Sequence, residues 1–218
     1  MRTMIASLAL AALALSATGA PAADFTARGG GPGAEAMRAR RGATPAEGLD
    51  FFRPVLSGVL YRAGFKGGDK ARTGLDDAQR RALCEAGFSE ARYIDFGKNT
   101  DYVDTACAAG RMSYAPARST RPAEVMRAIH AIATDPARGP MVAHCMWGVH
   151  SSGAISAMAL VQFCGWSEPR AKAYWDETRN GAPCSGGCDA WIDRHFDNFR
   201  VDPALTLTDA QRAAICPR

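Results

Sequence analysis

Pro140-Met141-Val142-Ala143-His144-Cys145-Met146-Trp147-Gly148-Val149-His150-Ser151-Ser152-Gly153 is the stretch on which the fold turns. Residues 140–144 form a brief apolar run of strand length, and residues 152–164 continue as a strongly apolar helix. A buried strand that enters a short loop and runs straight into a helix is the working unit of open α/β sheets. Ligands bind there, at the carboxyl ends of strands where helix N-termini point. Successive backbone N–H groups in such a loop form a concavity for anions, and the helix dipole adds positive potential. Gly148 permits the tight loop, Cys145 is expected to serve as a thiolate nucleophile, and Ser152 is expected to hydrogen-bond its sulfur. The plainer alternative is a buried, inert cysteine ahead of an ordinary capped helix.

Outward from this stretch, residues 52–61 read as one or two short strands around Ser57-Gly58. Residues 75–86 carry apolar positions at helical spacing after Asp76-Asp77, and Gly87 stops them. Residues 92–96 are a short strand. Pro122 opens a helix to about residue 134 that places Val125, Met126, Ile129 and Ile132 on one face. Further helices are expected over 168–179, 189–199 and 208–215. Strands separated by helices predict an α/β fold, with a central, mostly parallel sheet flanked by helices, in one domain over residues 49–218.

The chain opens with Met1-Arg2, an apolar run from Met4 to Leu15, and Ala20-Pro21-Ala22. A basic start, an apolar centre and small residues at a cleavage site predict a signal peptide over residues 1–22. The apolar centre is too short for the roughly 20 residues of a membrane span. The expected product is exported, periplasmic or secreted, with no stable membrane insertion after cleavage. Residues 23–48 are rich in Gly, Ala, Pro and Arg and hold few large apolar side chains, so they read as a flexible lead-in. Its arginines (Arg28, Arg38, Arg40, Arg41) read as solvated. The formal charge of +4 is mild and no nucleic-acid module is present, so nucleic acid is not an expected partner.

The seven cysteines are Cys84, Cys107, Cys145, Cys164, Cys184, Cys188 and Cys216. Export makes disulfides the default, and an odd number leaves one thiol over. Cys145 is the expected free one because of its loop. The other six allow several connectivities. The pairing expected here is Cys84 with Cys107, Cys184 with Cys188, and Cys164 with Cys216. A metal held by Cys184 and Cys188 is the alternative, but no second spaced pair accompanies them. No metal or cofactor is expected.

The loop resembles the signature of the cysteine-dependent protein tyrosine and dual-specificity phosphatases: His-Cys, two residues, Gly, two residues, Arg, Ser or Thr, Gly. His144, Cys145, Gly148, Ser152 and Gly153 match it in register. Gly58-Val59-Leu60-Tyr61-Arg62-Ala63-Gly64 is similar to the Tyr-Arg-Ser-Gly element near the start of bacterial members. The resemblance covers about residues 50 to 180. It implies that Cys145 attacks phosphorus to form a phosphocysteine, that Met146, Trp147, Gly148, Val149, His150 and Ser151 cradle the phosphate, and that Ser152 eases departure of the sulfur. It also implies an aspartic acid on a preceding loop to protonate the leaving oxygen, and a phosphorylated substrate or anion as partner.

Two positions depart from that pattern. The signature arginine is Ser151, and a hydroxyl does not replace a bidentate guanidinium; losing such a contact costs on the order of a thousandfold in rate. His150, Arg118 and Arg121 are the expected replacement cations. Between residues 105 and 134 the only acidic residue is Glu124, so Asp104, further back, stands as the candidate acid, with Asp101 beside it. Three readings follow: a divergent phosphatase, a pseudophosphatase that binds without turnover, and a thiol enzyme of other chemistry using His144 or His150 as base. Met146 and Trp147 either wall the pocket or pack on a neighbouring loop.

Overall fold

The computed structural model describes residues 45–65, 74–95, 100–135, 137–179 and 181–217. Residues 1–22, read above as a signal peptide, most of the lead-in and Phe96 lie outside them. Strands β1 (Leu49–Leu56) and β2 (Leu60–Phe65) form an antiparallel hairpin around Ser57-Gly58, where Gly58 holds a φ of +68°. Helix α1 (Asp77–Glu85) starts with a capping box, Asp76 accepting from the Gln79 amide while the Gln79 side chain accepts from the Asp76 amide. There follow β3 (Glu90–Ile94), β4 (Thr105–Cys107), β5 (Gly110–Ala117), α2 (Ala123–Thr134), β6 (Met141–Cys145), α3 (Ser151–Cys164), α4 (Glu168–Thr178), α5 (Cys188–Phe196), a short turn at Pro203–Leu205, and α6 (Asp209–Ile215).

The strands order as β1-β2-β6-β3-β5-β4. Pairs β2–β6, β6–β3 and β3–β5 are parallel, and the β1–β2 and β4–β5 edge pairs are antiparallel. The fold is thus the expected α/β sheet flanked by helices, with the β4–β5 edge hairpin added. All five residues of β6 are buried, as its apolar sequence requires of a central strand covered on both faces. Side chains alternate across it. Met141, Ala143 and Cys145 join the core beneath α2 and α3, with Ile129, Ile155, Met158 and Trp175. Val142 joins the opposite core, with Phe65, Leu83, Phe88, Tyr93 and Tyr114.

The lead-in ends a little earlier than residue 48. Ala46 is buried, and the Glu47 carbonyl accepts from Gln79 Nε2 at 2.8 Å. The three disulfides join Cys84 to Cys107, Cys164 to Cys216 and Cys184 to Cys188, and Cys145 is the free cysteine. Among the described residues no group of His, Cys, Asp and Glu could hold a metal ion, and no helix is long and apolar enough to cross a membrane.

The Cys164–Cys216 bond closes a separation of 52 residues and ties the end of α3 to the end of α6, where the Ile215 carbonyl also accepts from Ser57 N at 2.8 Å. A cross-link of that span restricts the unfolded chain. Replacing both cysteines by Ser is expected to lower the unfolding free energy by about 2–4 kcal/mol, measured by urea denaturation.

Candidate active site

Strand β2 runs Leu-Tyr-Arg-Ala-Gly-Phe and is buried throughout. An arginine in such a strand must find acceptors for its donors. Arg62 finds them in the loop after β6: Nε and Nη2 donate to the Gly148 carbonyl at 3.2 and 2.9 Å, and Nη2 also reaches the Val149 carbonyl at 3.5 Å. Its Nη1 donates to Thr178 Oγ1 at 3.0 Å, at the end of α4. Burial works against the guanidinium charge and lowers its pKa; Tyr174 and the Cys145 sulfur act in the opposite direction. Gly64 completes the seat. A Cβ there would lie 2.1 Å from Gly148 N and 2.3 Å from the Trp147 carbonyl carbon, so only glycine lets β2 and the loop approach this closely.

Four of the loop carbonyls are engaged by the surrounding protein. Met146 O accepts from Phe65 N at 2.9 Å, Gly148 O and Val149 O from Arg62, and His150 O from Trp175 Nε1 at 3.1 Å and Ala154 N at 2.8 Å. Among the described residues, the amides of residues 147 to 153 donate to no protein acceptor. The first turn of α3 adds to this set, because His150 as N-cap offers no side-chain hydrogen bond. Unpaired N–H groups on a buried loop are costly unless an anion takes them. Cys145 is 2 % exposed at the end of β6, and its Sγ lies 3.3 Å from Ser152 Oγ, which α3 carries one residue into its first turn.

His144 points to the other face of β6. Its ring stacks on Tyr93 at 4.5 Å and meets Tyr114 Oη through Nε2 at 3.0 Å. The Tyr114 oxygen also accepts from Leu75 N, and His144 Nδ1 is buried with no partner among the described residues. Burial pushes the His144 pKa down from 6.5 to about 3, leaving a neutral ring. Facing away from Cys145, it does not serve as the base of a thiol enzyme. Sequence proximity suggested that role, and strand alternation removes it.

Several other expectations need correction. Asp104 precedes β4 and pairs with Arg111 at 2.8 Å, and that hydrogen bond holds its carboxyl below the usual range. Registers place it beside Ser113, level with Glu90 and Met141. That is about 13 Å down the sheet from Cys145 and three strand spacings of about 4.8 Å across, so it is no proton donor for this site. Arg118 donates to the Asp95 carbonyl at 3.1 Å, and Arg121 borders a separate groove with Phe199 and Leu205. Neither arginine is held toward Cys145. His150 packs edge-on to Trp191 at 6.0 Å, and burial keeps its pKa below 6.5, opposed by the carbonyls of Pro183 and Ala182. It is therefore a neutral packing residue at neutral pH. Ser151 is buried where the resemblance expects a guanidinium, Met146 is half-buried, and Trp147 stands 42 % exposed on the loop's rim.

Arg62 enters the sequence reading only as part of the element at residues 58–64, with no role assigned at the loop. The signal was present: a charged side chain inside a six-residue strand of otherwise apolar character.

No protein-family model and no curated protein matches the sequence. Solved structures are similar to it. PTPMT1 in complex with PI(5)P is 12 % identical with a TM-score of 0.47, covering 68 % of this chain and 97 % of that one. Human DUSP28 is 14 % identical with a TM-score of 0.42, covering 69 % and 93 %. P. aeruginosa TpbA is 21 % identical with a TM-score of 0.39, covering 74 % and 90 %. All three are cysteine-based protein tyrosine or dual-specificity phosphatases, and the likeness is one of fold.

Two outcomes are expected. Arg62→Met strips the Gly148, Val149 and Thr178 acceptors of their donor. It should cost at least about 2 kcal/mol in thermal unfolding and abolish phosphate binding in calorimetry, although Arg62 touches no ligand. His144, depressed in the fold, contributes stability that is complete above its ordinary 6.5 and lost as pH falls toward about 3. Urea midpoints measured down that range should fall, and His144→Gln should flatten the acid side of the curve.

Proposed function

We propose that this chain is an exported, cysteine-dependent phosphomonoester hydrolase in which Cys145 carries the phosphoryl group. The observation that carries the reading is the loop's polarity. Four of its carbonyls are fastened, while the amides of residues 147 to 153, beside the free thiol of Cys145, donate to no acceptor among the described residues. That arrangement suits a tetrahedral anion held by main-chain donors.

In the first step the Cys145 thiolate attacks phosphorus. An S–P bond forms, the P–O bond to the substrate breaks, and the leaving oxygen takes up a proton. In the second step water attacks the phosphocysteine, the S–P bond breaks, and inorganic phosphate leaves. Ser152 Oγ, 3.3 Å from the sulfur, stabilises the departing thiolate by hydrogen bonding. The buried charge of Arg62 lies behind the loop and acts on the Cys145 sulfur from there. It holds the loop and does not grip the phosphate, so turnover is slow compared with a site that has an arginine at position 151. Trp147, exposed at the rim, favours an aryl ester. The three disulfides support an oxidising compartment and hence the export signal of residues 1–22.

One observation favours a second reading, phosphate binding without turnover: Ser151 sits buried where a cationic clamp belongs. The two readings separate in one experiment. Incubated with an aryl phosphate, the wild-type protein is expected to release phosphate and show a phosphoryl adduct on Cys145 by mass spectrometry, and Cys145→Ser is expected to do neither. Ser152→Ala should slow adduct hydrolysis on the order of 10- to 100-fold, so that the adduct accumulates. Phosphate binding that survives Cys145→Ser, with no turnover by the wild type, would favour the second reading.

A further inference from the structure

The stretch Gly181-Ala182-Pro183-Cys184-Ser185-Gly186-Gly187-Cys188 leads from α4 into α5, and the mechanism above leaves it unused. Gly181, Gly186 and Gly187 hold φ values of +71°, +77° and +87°, so the backbone of this segment has little stiffness of its own. Gly187 is also the N-cap of α5 and offers the helix start no side-chain hydrogen bond. A helix of 9 residues without a cap is marginal by itself. The Cys184–Cys188 disulfide supplies the missing restraint. It closes residues 184–188 into a ring that ends on the first residue of α5, and inside the ring Gly187 N donates to the Cys184 carbonyl at 3.2 Å.

Two anchors of the Cys145 loop lead back to this ring. Trp191, one turn after Cys188, meets the His150 ring edge-on at 6.0 Å and stacks on Trp175 at 5.2 Å. Trp175 Nε1 in turn holds the His150 carbonyl at 3.1 Å. The second anchor is Thr178, whose Oγ1 accepts from Arg62 at 3.0 Å at the end of α4. Beside it, Arg179 Nη1 donates to the Ala182 carbonyl at 2.7 Å, and Ala182 N donates back to the Arg179 carbonyl at 3.1 Å. The sulfurs of Cys184 and Cys188 lie 3.9 and 3.8 Å from that same Ala182 carbonyl. The other two disulfides sit elsewhere: Cys84 and Cys107 with the opposite core, and Cys164 and Cys216 at the far end of α3. The later part of α5 has fastenings of its own, since Lys172 Nζ bonds Asp193 at 2.6 Å and Ile192 and Phe196 are buried. Opening the ring therefore frees the first turn of α5 and the end of α4 while the helix stays docked.

We propose that the Cys184–Cys188 disulfide is the positioning clamp of the Cys145 site. Once formed, it sets residues 147 to 153 for the anion; with both thiols free, the folded chain binds phosphate weakly. This rests on the phosphate-binding loop of the reading above and adds its regulation. Closure needs an oxidant, and a protein or small-molecule disulfide of an oxidising compartment serves. The thiolate of one cysteine attacks that disulfide, forms a mixed disulfide and releases one thiolate. The thiolate of the other cysteine then attacks the mixed bond, closes Cys184–Cys188 and releases the second. One S–S bond forms and one breaks, and the two electrons and two protons pass to the oxidant's thiols. Both cysteines are half-buried and flanked by the exposed Ser185, Gly186, Gly187 and Asp189, which leaves the ring open to such exchange. The three bonds span separations of 4, 23 and 52 residues, so this ring restrains the unfolded chain least and adds least to global stability. In a reducing cytoplasm the loop stays unset, and phosphate chemistry begins after export.

The test sets site affinity against global stability in two double variants of the mature chain. Cys184→Ser with Cys188→Ser is expected to weaken inorganic phosphate binding by at least about 10-fold in calorimetry, as for a loop set a tenth of the time or less. Its thermal midpoint should fall less than that of Cys164→Ser with Cys216→Ser, a pair that should bind phosphate as the wild type does. Where the first variant does not fold, the wild type titrated with dithiothreitol gives the same reading. Alkylation and mass spectrometry identify the state in which residues 184 and 188 are reduced. Phosphate affinity should drop in that state and return on reoxidation with oxidised glutathione. Unchanged affinity with those two thiols free, or a midpoint that falls as far as in the Cys164 and Cys216 variant, would overturn the clamp and leave the Cys145 chemistry intact. An oxidised wild type that binds no phosphate would overturn the proposed function and this inference together.

Discussion

A single buried cation organises this molecule. Arg62 leaves a fully buried strand, and its guanidinium has nowhere to go except the carbonyls of the next strand's loop and the end of α4. A charge taken out of water demands dipoles to replace its hydration, and a peptide loop that gives up its carbonyls must turn its amides the other way. The anion-seeking face of residues 147 to 153 is therefore the reverse side of Arg62's solvation shell. Gly64 and Gly148 belong to the same constraint, because the strand and the loop touch backbone to backbone.

The parallel register converts that local arrangement into a site. β6 lies between β2 and β3, so the loop has Arg62 and Gly64 on one side and the end of β3 on the other. Strand alternation then separates two adjacent residues by function. Cys145 faces the α3 side, where Ser152 and the helix amides lie, and His144 faces an aromatic box of Tyr93, Tyr114 and Phe65 that keeps it neutral. His144 stiffens the strand. The free thiol is its neighbour, Cys145.

Much of this was readable from local order. The strand–loop–helix stretch, the helix over 123–134 and the capping box at Asp76 are short-range patterns, in which periodicity and capping chemistry act within a few residues. The β4–β5 hairpin escaped because β4 is three residues long and β5 carries Gly110, Pro116 and small residues where a bulky alternation would mark a strand. Asp104 seemed near the site only by counting residues; an edge hairpin carries it to the far end of the sheet.

The amino-acid sequence alone determined what short-range chemistry determines: an α/β chain, a glycine-bearing loop between a buried strand and a helix, one cysteine at its start, and a serine where an arginine would otherwise close on the anion. It left several pairings of six cysteines open, and the one expected among them is the one the fold forms. Tertiary structure alone decided which charges serve the loop. Arginines close in sequence, Arg118 and Arg121, are spent elsewhere, while Arg62, more than eighty residues away, is driven into place because a buried guanidinium must find carbonyls. Electrostatic partnership depends on distance through space and on exclusion of water, and neither is written along the chain.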